Sequence, residues 1–276
     1  MLPSLLIVFR EVFEAGLIIG IVMAVTSSVP GRGLWVAGGV IAGVLGACVV
    51  ALFTGGLSEL FGGSGQELFN AGILGFAVLM LGWHNVWMAR HGREMAAEMR
   101  AAGQAVVTGS KSLAALAVVV MIAVLREGSE VVLFLYGIMA SGTSGSALLV
   151  GGLLGIAAGA AFSALTYLGL LAIPSRYIFS VTSWLIALLA AGMAAQAVQF
   201  LTNAGLVVAL DRTLWDTSWL LSEKSIFGRL LHTLIGYIDR PTEMQLLVYV
   251  ATLFAMFLLM RIARQTPRQR VPAAAE

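Results

Sequence analysis

Long apolar runs, separated by short turn-forming or charged segments, dominate this chain. Reading between the breaks predicts seven helices near residues 3–26, 34–54, 67–89, 113–140, 147–172, 180–203 and 245–263. Each is close to or above the roughly 20 residues that carry an α-helix across about 30 Å of hydrocarbon. Pro30 and Gly31 close the first run, Gly62, Gly63 and Gly65 separate the second from the third, and Gly142 and Gly145 lie in a tight uncharged turn between the fourth and fifth. Pro174 and Pro241 mark two further boundaries. The connection over 204–244 is long, and two short amphipathic helices are predicted within it, Leu214 to Leu221 and Ile226 to Ile235. Trp215 and Trp219 suit a membrane interface there. The first run is expected to stay in the mature protein. No basic residue precedes it, and Arg10, Glu11 and Glu14 fall inside it, which is the wrong order for a secretory signal.

Composition strengthens the membrane reading. Hydrophobic residues make up 59% of the 276 and charged residues 11%, against about 25% charged in soluble domains. The 32 glycines fit helices that pack closely in lipid. Cys48 is the single cysteine, so no intrachain disulfide or thiolate metal cluster can form. A formal charge of +2 gives no reason to expect nucleic acid as a partner. The distribution of charge is more informative. With the N-terminus outside and the C-terminus inside, ten Lys and Arg fall in inner segments and four in outer ones, which satisfies the positive-inside rule. Seven acidic residues then lie outside and three inside, a distribution that gathers cations at the outer mouth or is simply that of solvated loops.

A sequence of five residues occurs twice in related form. Arg10-Glu11-Val12-Phe13-Glu14 in the first helix returns as Arg126-Glu127-Gly128-Ser129-Glu130 in the fourth. Three helices separate the copies, and an odd number reverses direction. The expected architecture is therefore an all-α integral membrane protein of seven transmembrane helices, a 3+3 inverted repeat plus a seventh helix, which places a substrate site near the midplane. It forms a single membrane domain: repeat one over 1–112, repeat two over 113–203, an outer loop over 204–244, the seventh helix over 245–263 and a cytoplasmic tail over 264–276.

Ionisable groups at the centre of a membrane helix cost about 2.5–3.5 kcal/mol each on the insertion scale, and mark function by default. Glu11 with Glu14, and Glu127 with Glu130, are spaced i,i+3 and so share a helical face; Arg10 and Arg126 can pair with Glu14 and Glu130 at i,i+4. Two self-neutralising packing pairs would balance their charge, whereas each copy here has one Arg and two Glu. Facing copies would hold a net charge of about −2 if all ionise, and carboxylate oxygens suit hard cations. The metal ligands expected are Glu11, Glu14, Glu127 and Glu130, with Arg10 and Arg126 as supporting charge.

Other polar positions point less directly to chemistry. His84 and Asn85, toward the inner end of the third helix, read as hydrogen-bonded packing residues; Gln196 and Gln199 read as bonds across helices. Glu67, opening the third helix, is either a first outer ligand for an incoming ion or a complement to the helix dipole. His84, His91 and His232 lie on different segments, so neither a bis-His haem pair nor an HExxH zinc site is present, and there is no Walker motif.

At its paired motifs the chain resembles the iron permeases of the FTR1/EfeU family, the oxidase-dependent iron transporters, which carry RExxE in their first and fourth helices of seven. The resemblance extends to GQELFNAGILGF entering the third helix, AAGMAAQAVQFLTNAGL in the sixth, and SIFG followed by IGY in the outer loop. The sequence departs from the family's usual form at Val12-Phe13 and at Asn70, where an acidic residue is expected. The resemblance implies import of iron, expected as ferric, across the cytoplasmic (inner) membrane by a permease rather than an enzyme. Iron is then cargo, with no permanently bound cofactor. It also implies partners outside the chain: a periplasmic iron-binding protein and a haem peroxidase, or a ferroxidase. Lipid surrounds the protein, and a homo-oligomer is compatible with it. Two other readings remain open at this point, a carrier of another hard cation such as lead or manganese, and a membrane iron sensor or metalloenzyme.

Overall fold

The computed structural model describes residues 1–60, 66–169, 175–223 and 225–265. Within them the chain is built from eight helices: α1 (Leu2–Val25), α2 (Arg32–Leu60), α3 (Gln66–Val107), α4 (Leu113–Ala140), α5 (Gly145–Tyr167), α6 (Ser175–Asn203), α7 (Ile226–Ile235) and α8 (Glu243–Gln265). The described residues contain no strand beyond an isolated bridge between Thr213 and Thr242. Among the described residues, five helices are both long and apolar enough to cross a membrane, in α2, α3, α5, α6 and α8. The other two long helices, α1 and α4, each carry the three charged residues of a motif. At 24 and 28 residues they measure about 36 and 42 Å.

Most helix limits lie within a few residues of those predicted; α2 ends six residues later, α5 ends five earlier and α6 begins five earlier, and two larger differences have clear reasons. α3 continues through residue 107 instead of ending near 89. Its charged continuation keeps an apolar stripe at helical spacing: Met99 and Val106 pack with Val22, Val36, Leu116 and Val120, and Gly103 lies close against Val25. The predicted helix over 214–221 is not formed. The amides of Leu214 and Thr217 donate to the carbonyls of Pro241 and Asp239, so their partners come from another segment instead of from i−4. Asp216 also accepts the Ser218 amide, a local bond that competes with helix. That bond, together with the Ser218 hydroxyl and Arg240, holds the exposed Asp216 carboxyl below the usual carboxylate range. The predicted helix over Ile226 to Ile235 is present as α7, capped by Ser225, whose Oγ accepts the Gly228 amide, and ended by Gly236 in the left-handed region. The tail over 264–276, expected on the cytoplasmic side, lies almost wholly outside the described residues.

Packing is set by small residues. The buried residues of α5 are Gly151, Gly155 and Gly159, and they receive α1: a Cβ on Gly155 would stand 2.8 Å from the Leu5 carbonyl oxygen and the Val8 Cβ. On α2, Gly39, Gly43 and Gly46 receive α4 in the same way, with a Cβ on Gly43 reaching 2.7 Å from Val124 Cβ. Without a hydrophobic driving force between helices in lipid, such close backbone approach is what holds them together. The most extensive helix contacts are α1 with α5 and α2 with α4, followed by α3 with α6. The opposite faces of α2 and α5 are apolar and exposed, as at Leu45, Leu52, Leu149 and Leu153.

Two apolar clusters form the interior. One joins Ile7 of α1, Leu74, Ala77 and Leu81 of α3, and Phe134 and Ile138 of α4 to the buried face of α6. The other contains Val22 of α1, Val106 of α3, and Leu116, Val120 and Val124 of α4. Along α1, α3 and α4 alike, the polar residues described next lie between the two.

Candidate functional site

In α1, Arg10 donates from Nε to Glu14 Oε1 at 2.7 Å, and its NH1 lies 4.0 Å from Glu11 Oε1. The i,i+4 spacing stacks the two side chains along one face. All three residues are fully enclosed, Arg10 being 2% exposed. In α4, Arg126 Nε stands 3.3 Å from Glu130 Oε1 and 3.9 Å from Glu127 Oε1. The Arg126 side chain is 32% exposed, and its guanidinium lies 3.9 Å over the ring of Trp87, a cation–π contact.

α3 passes between the two motifs and inserts His84 among the carboxylates. Its Nε2 lies 3.8 Å from Glu11 Oε2 and 3.7 Å from Glu14 Oε2, while Nδ1 meets Glu130 Oε2. The ring is 2% exposed and stands edge-on to Phe134. Asn85, the next residue, donates to the Ser183 carbonyl of α6 at 3.2 Å and faces the Met260 sulfur of α8, fixing this stretch of α3 against its neighbours.

One donor atom from each of Glu11, His84, Glu127 and Glu130 lies within 4.8 Å of the others. Metal–ligand bonds of about 2.0–2.2 Å place donors on a common ion roughly 3–4 Å apart, so a small inward shift of side chains would let one ion bridge them. Both carboxylate oxygens of Glu11 and of Glu127 are buried without a hydrogen-bond partner, as is Glu14 Oε2. Burying carboxylates without hydrogen bonds is costly; Arg10, Arg126 and His84 stand within ion-pair reach of them, and a cation is a further natural complement.

The sequence-derived residues fall into place unequally. All four glutamates and both arginines converge on this locus. Glu67 does not: it opens α3, seventeen residues before His84, or about 25 Å along the helix. Gln196 and Gln199 bond across helices as expected, to the Ser141 carbonyl and to Gln245. His84 is the residue that the sequence reading set aside as packing. The signal that could have found it was charge: four carboxylates against two guanidinium groups leave room for another basic group at the same depth. Trp87, one turn further along α3, was likewise given no role.

A second feature lies at the end of the bundle formed by the start of α1, the turn between α4 and α5, and α7. It is a cavity of about 1080 Å³, lined among others by Pro3, Ile138, Gln196, Glu223, His232 and Asp239. His232 Nδ1 lies 3.1 Å from Glu223 Oε1 and 2.8 Å from the Tyr237 carbonyl.

The family model described as "Iron permease FTR1 family" matches residues 1–264. The chain is similar to the "Ferrous iron permease EfeU" of Escherichia coli O157:H7, 31% identical over 254 residues that cover 90% of this chain and 91% of that protein. It is also similar to the protein of the same name from Yersinia pestis, 30% identical over 280 residues that cover 99% and 98%. No solved structure matches the chain.

Proposed function

The chain belongs to the iron permease FTR1 family, and on that premise we propose that it spans the cytoplasmic membrane seven times and imports iron through the chamber between α1, α3 and α4. The observation that carries this reading is the convergence of both RExxE motifs on one buried locus. Glu11, Glu14, Glu127 and Glu130 bind the ion. Arg10 and Arg126 orient the carboxylates and balance their charge when the ion has left.

In this reading the N-terminus is outside, and α1 to α3 and α4 to α6 are inverted repeats that form a single membrane domain with α8 added. The reciprocal packing of α1 on α5 and of α4 on α2 supports the repeat, because inverted symmetry exchanges those two pairs. The large cavity is then the outer vestibule, where an acidic rim gathers the cation and an envelope partner hands it over. That partner is expected to be a periplasmic iron-binding protein with a haem peroxidase, or a ferroxidase. Glu67, away from the chamber, is at most an early contact. The apolar cluster around Ile7, Phe134 and Ile138 closes the chamber from the vestibule, and the cluster around Val22, Val120 and Val124 closes it from the inside. Rearrangement of one repeat against the other opens them in turn.

The resemblance favours ferric iron as cargo. The relatives' printed name, ferrous iron permease, supports ferrous iron as a second reading. Metal flux into sealed proteoliposomes tests the proposal, with ferric citrate, ferrous iron and manganese offered separately. Iron entry by the wild type, lost in a Glu14→Gln/Glu130→Gln variant that elutes normally from a sizing column, is the expected result. Binding without net transfer would favour a sensor or metalloenzyme, and equal entry of manganese a general cation carrier.

A further inference from the structure

We propose that His84 is a nitrogen ligand of the transported ion and makes the chamber select ferrous iron over harder cations, manganese included; this rests on the ferrous form of the transport reading above. The three histidines differ in what their rings meet. Nδ1 of His91 lies 3.2 Å from the Trp87 carbonyl, and Nδ1 of His232 lies 2.8 Å from the Tyr237 carbonyl. Each is tied to nearby backbone, His232 with the Glu223 carboxylate also 3.1 Å from the same nitrogen. His84 has no such backbone tie. Both of its nitrogens are buried and face carboxylates contributed by two other helices.

That arrangement has the form of a carboxylate–histidine–metal relay, in which one ring nitrogen donates to a carboxylate and the other binds the ion. Glu130, at Nδ1, takes the N–H, which makes it in this refinement of the proposed site the carboxylate that positions the ring and not a direct ligand of the ion at Nε2. The Nε2 lone pair is then directed between Glu11 and Glu14, with Glu127 completing the donors. Phe134 against the ring and Asn85 bonded to α6 hold this orientation without help from the ion.

The consequence is a mixed nitrogen and oxygen site. Four carboxylates alone would suit magnesium, calcium, manganese and ferric iron, all hard ions. An imidazole adds little for those and favours ferrous iron, cobalt, nickel, copper and zinc. His84 is therefore a specificity-determining residue, separate from the carboxylates that provide charge.

Two measurements test this. Iron K-edge X-ray absorption on purified wild-type protein loaded with ferrous iron under anaerobic conditions should show imidazole scattering, and the His84→Gln protein should show an oxygen-only shell. In proteoliposomes, His84→Gln should lower the ratio of ferrous iron to manganese entry by about tenfold or more, while manganese still enters. An oxygen-only shell in the wild type would overturn the proposal without recourse to any variant. So would an unchanged ratio in His84→Gln, or equal loss of both metals. The Glu14→Gln/Glu130→Gln protein separates the two levels: if it still carries iron, the chamber reading falls whatever His84 does.

Discussion

The two motifs have the same spacing and both pair Arg with Glu at i,i+4, yet their surroundings differ. Arg10 is 2% exposed, and Arg126 is 32% exposed. Around the first motif, α5 brings glycines against α1, and Phe162 packs edge-on against Phe9 and Phe13. Around the second, Arg126 reaches Trp87 and remains partly open. A helix sets which side chains stack at i,i+4. What closes over them is decided by neighbours distant in sequence, so a repeated motif need not give repeated energetics.

The largest expected effect follows from this. Arg10→Met leaves Glu11 and Glu14 without their guanidinium in a sealed site, where breaking a buried pair costs about 3–5 kcal/mol. Arg126→Met should cost about 1 kcal/mol or less, because its charge is partly solvated. Thermal unfolding of the two proteins in detergent measures the gap; equal destabilisation would remove the distinction. A smaller effect sharpens the opposite point, that helix packing is alike in the two halves. Gly155→Ala and Gly43→Ala each push a methyl into backbone or a β-branched neighbour, an overpacking cost of about 1–3 kcal/mol. Their unfolding temperatures should fall together. If one is silent, the α1–α5 and α2–α4 contacts are not equivalent. The smallest effect belongs to Trp87→Leu, which removes a cation–π contact worth about 0.5–1 kcal/mol at an exposed site. It should shift the stability contributed by Arg126 and leave that of Arg10 unchanged, as a double-mutant cycle would reveal.

Much of this was legible in the sequence because lipid imposes simple rules. Uninterrupted apolar length gave the long helices, and the cost of burying charge singled out Arg10, Glu11, Glu14, Arg126, Glu127 and Glu130. The amphipathic pattern gave α7 to the residue. What was hidden depended on contacts between segments. His84 reads as an isolated polar residue until α3 is laid between α1 and α4. Hydropathy ends α3 at its first charges, whereas the stripe of Met99, Gly103 and Val106 continues it against α1 and α4. Residues 214–221 have an amphipathic pattern, but the amides of Leu214 and Thr217 are claimed by Pro241 and Asp239.

The apolar clusters above and below the charged chamber also bear on the energy economy of the cell. In the bilayer that we propose the chain spans, a standing voltage pulls on every mobile ion with about 2.3 kcal/mol per charge for each 100 mV. A continuous polar path would short-circuit it. In the proposed reading, Ile7, Phe134 and Ile138 on one side, with Val22, Val120 and Val124 on the other, are the apolar seals that interrupt such a path in the resting protein. A planar bilayer crowded with it should stay electrically tight, so the membrane could hold many copies of this permease without losing its stored potential.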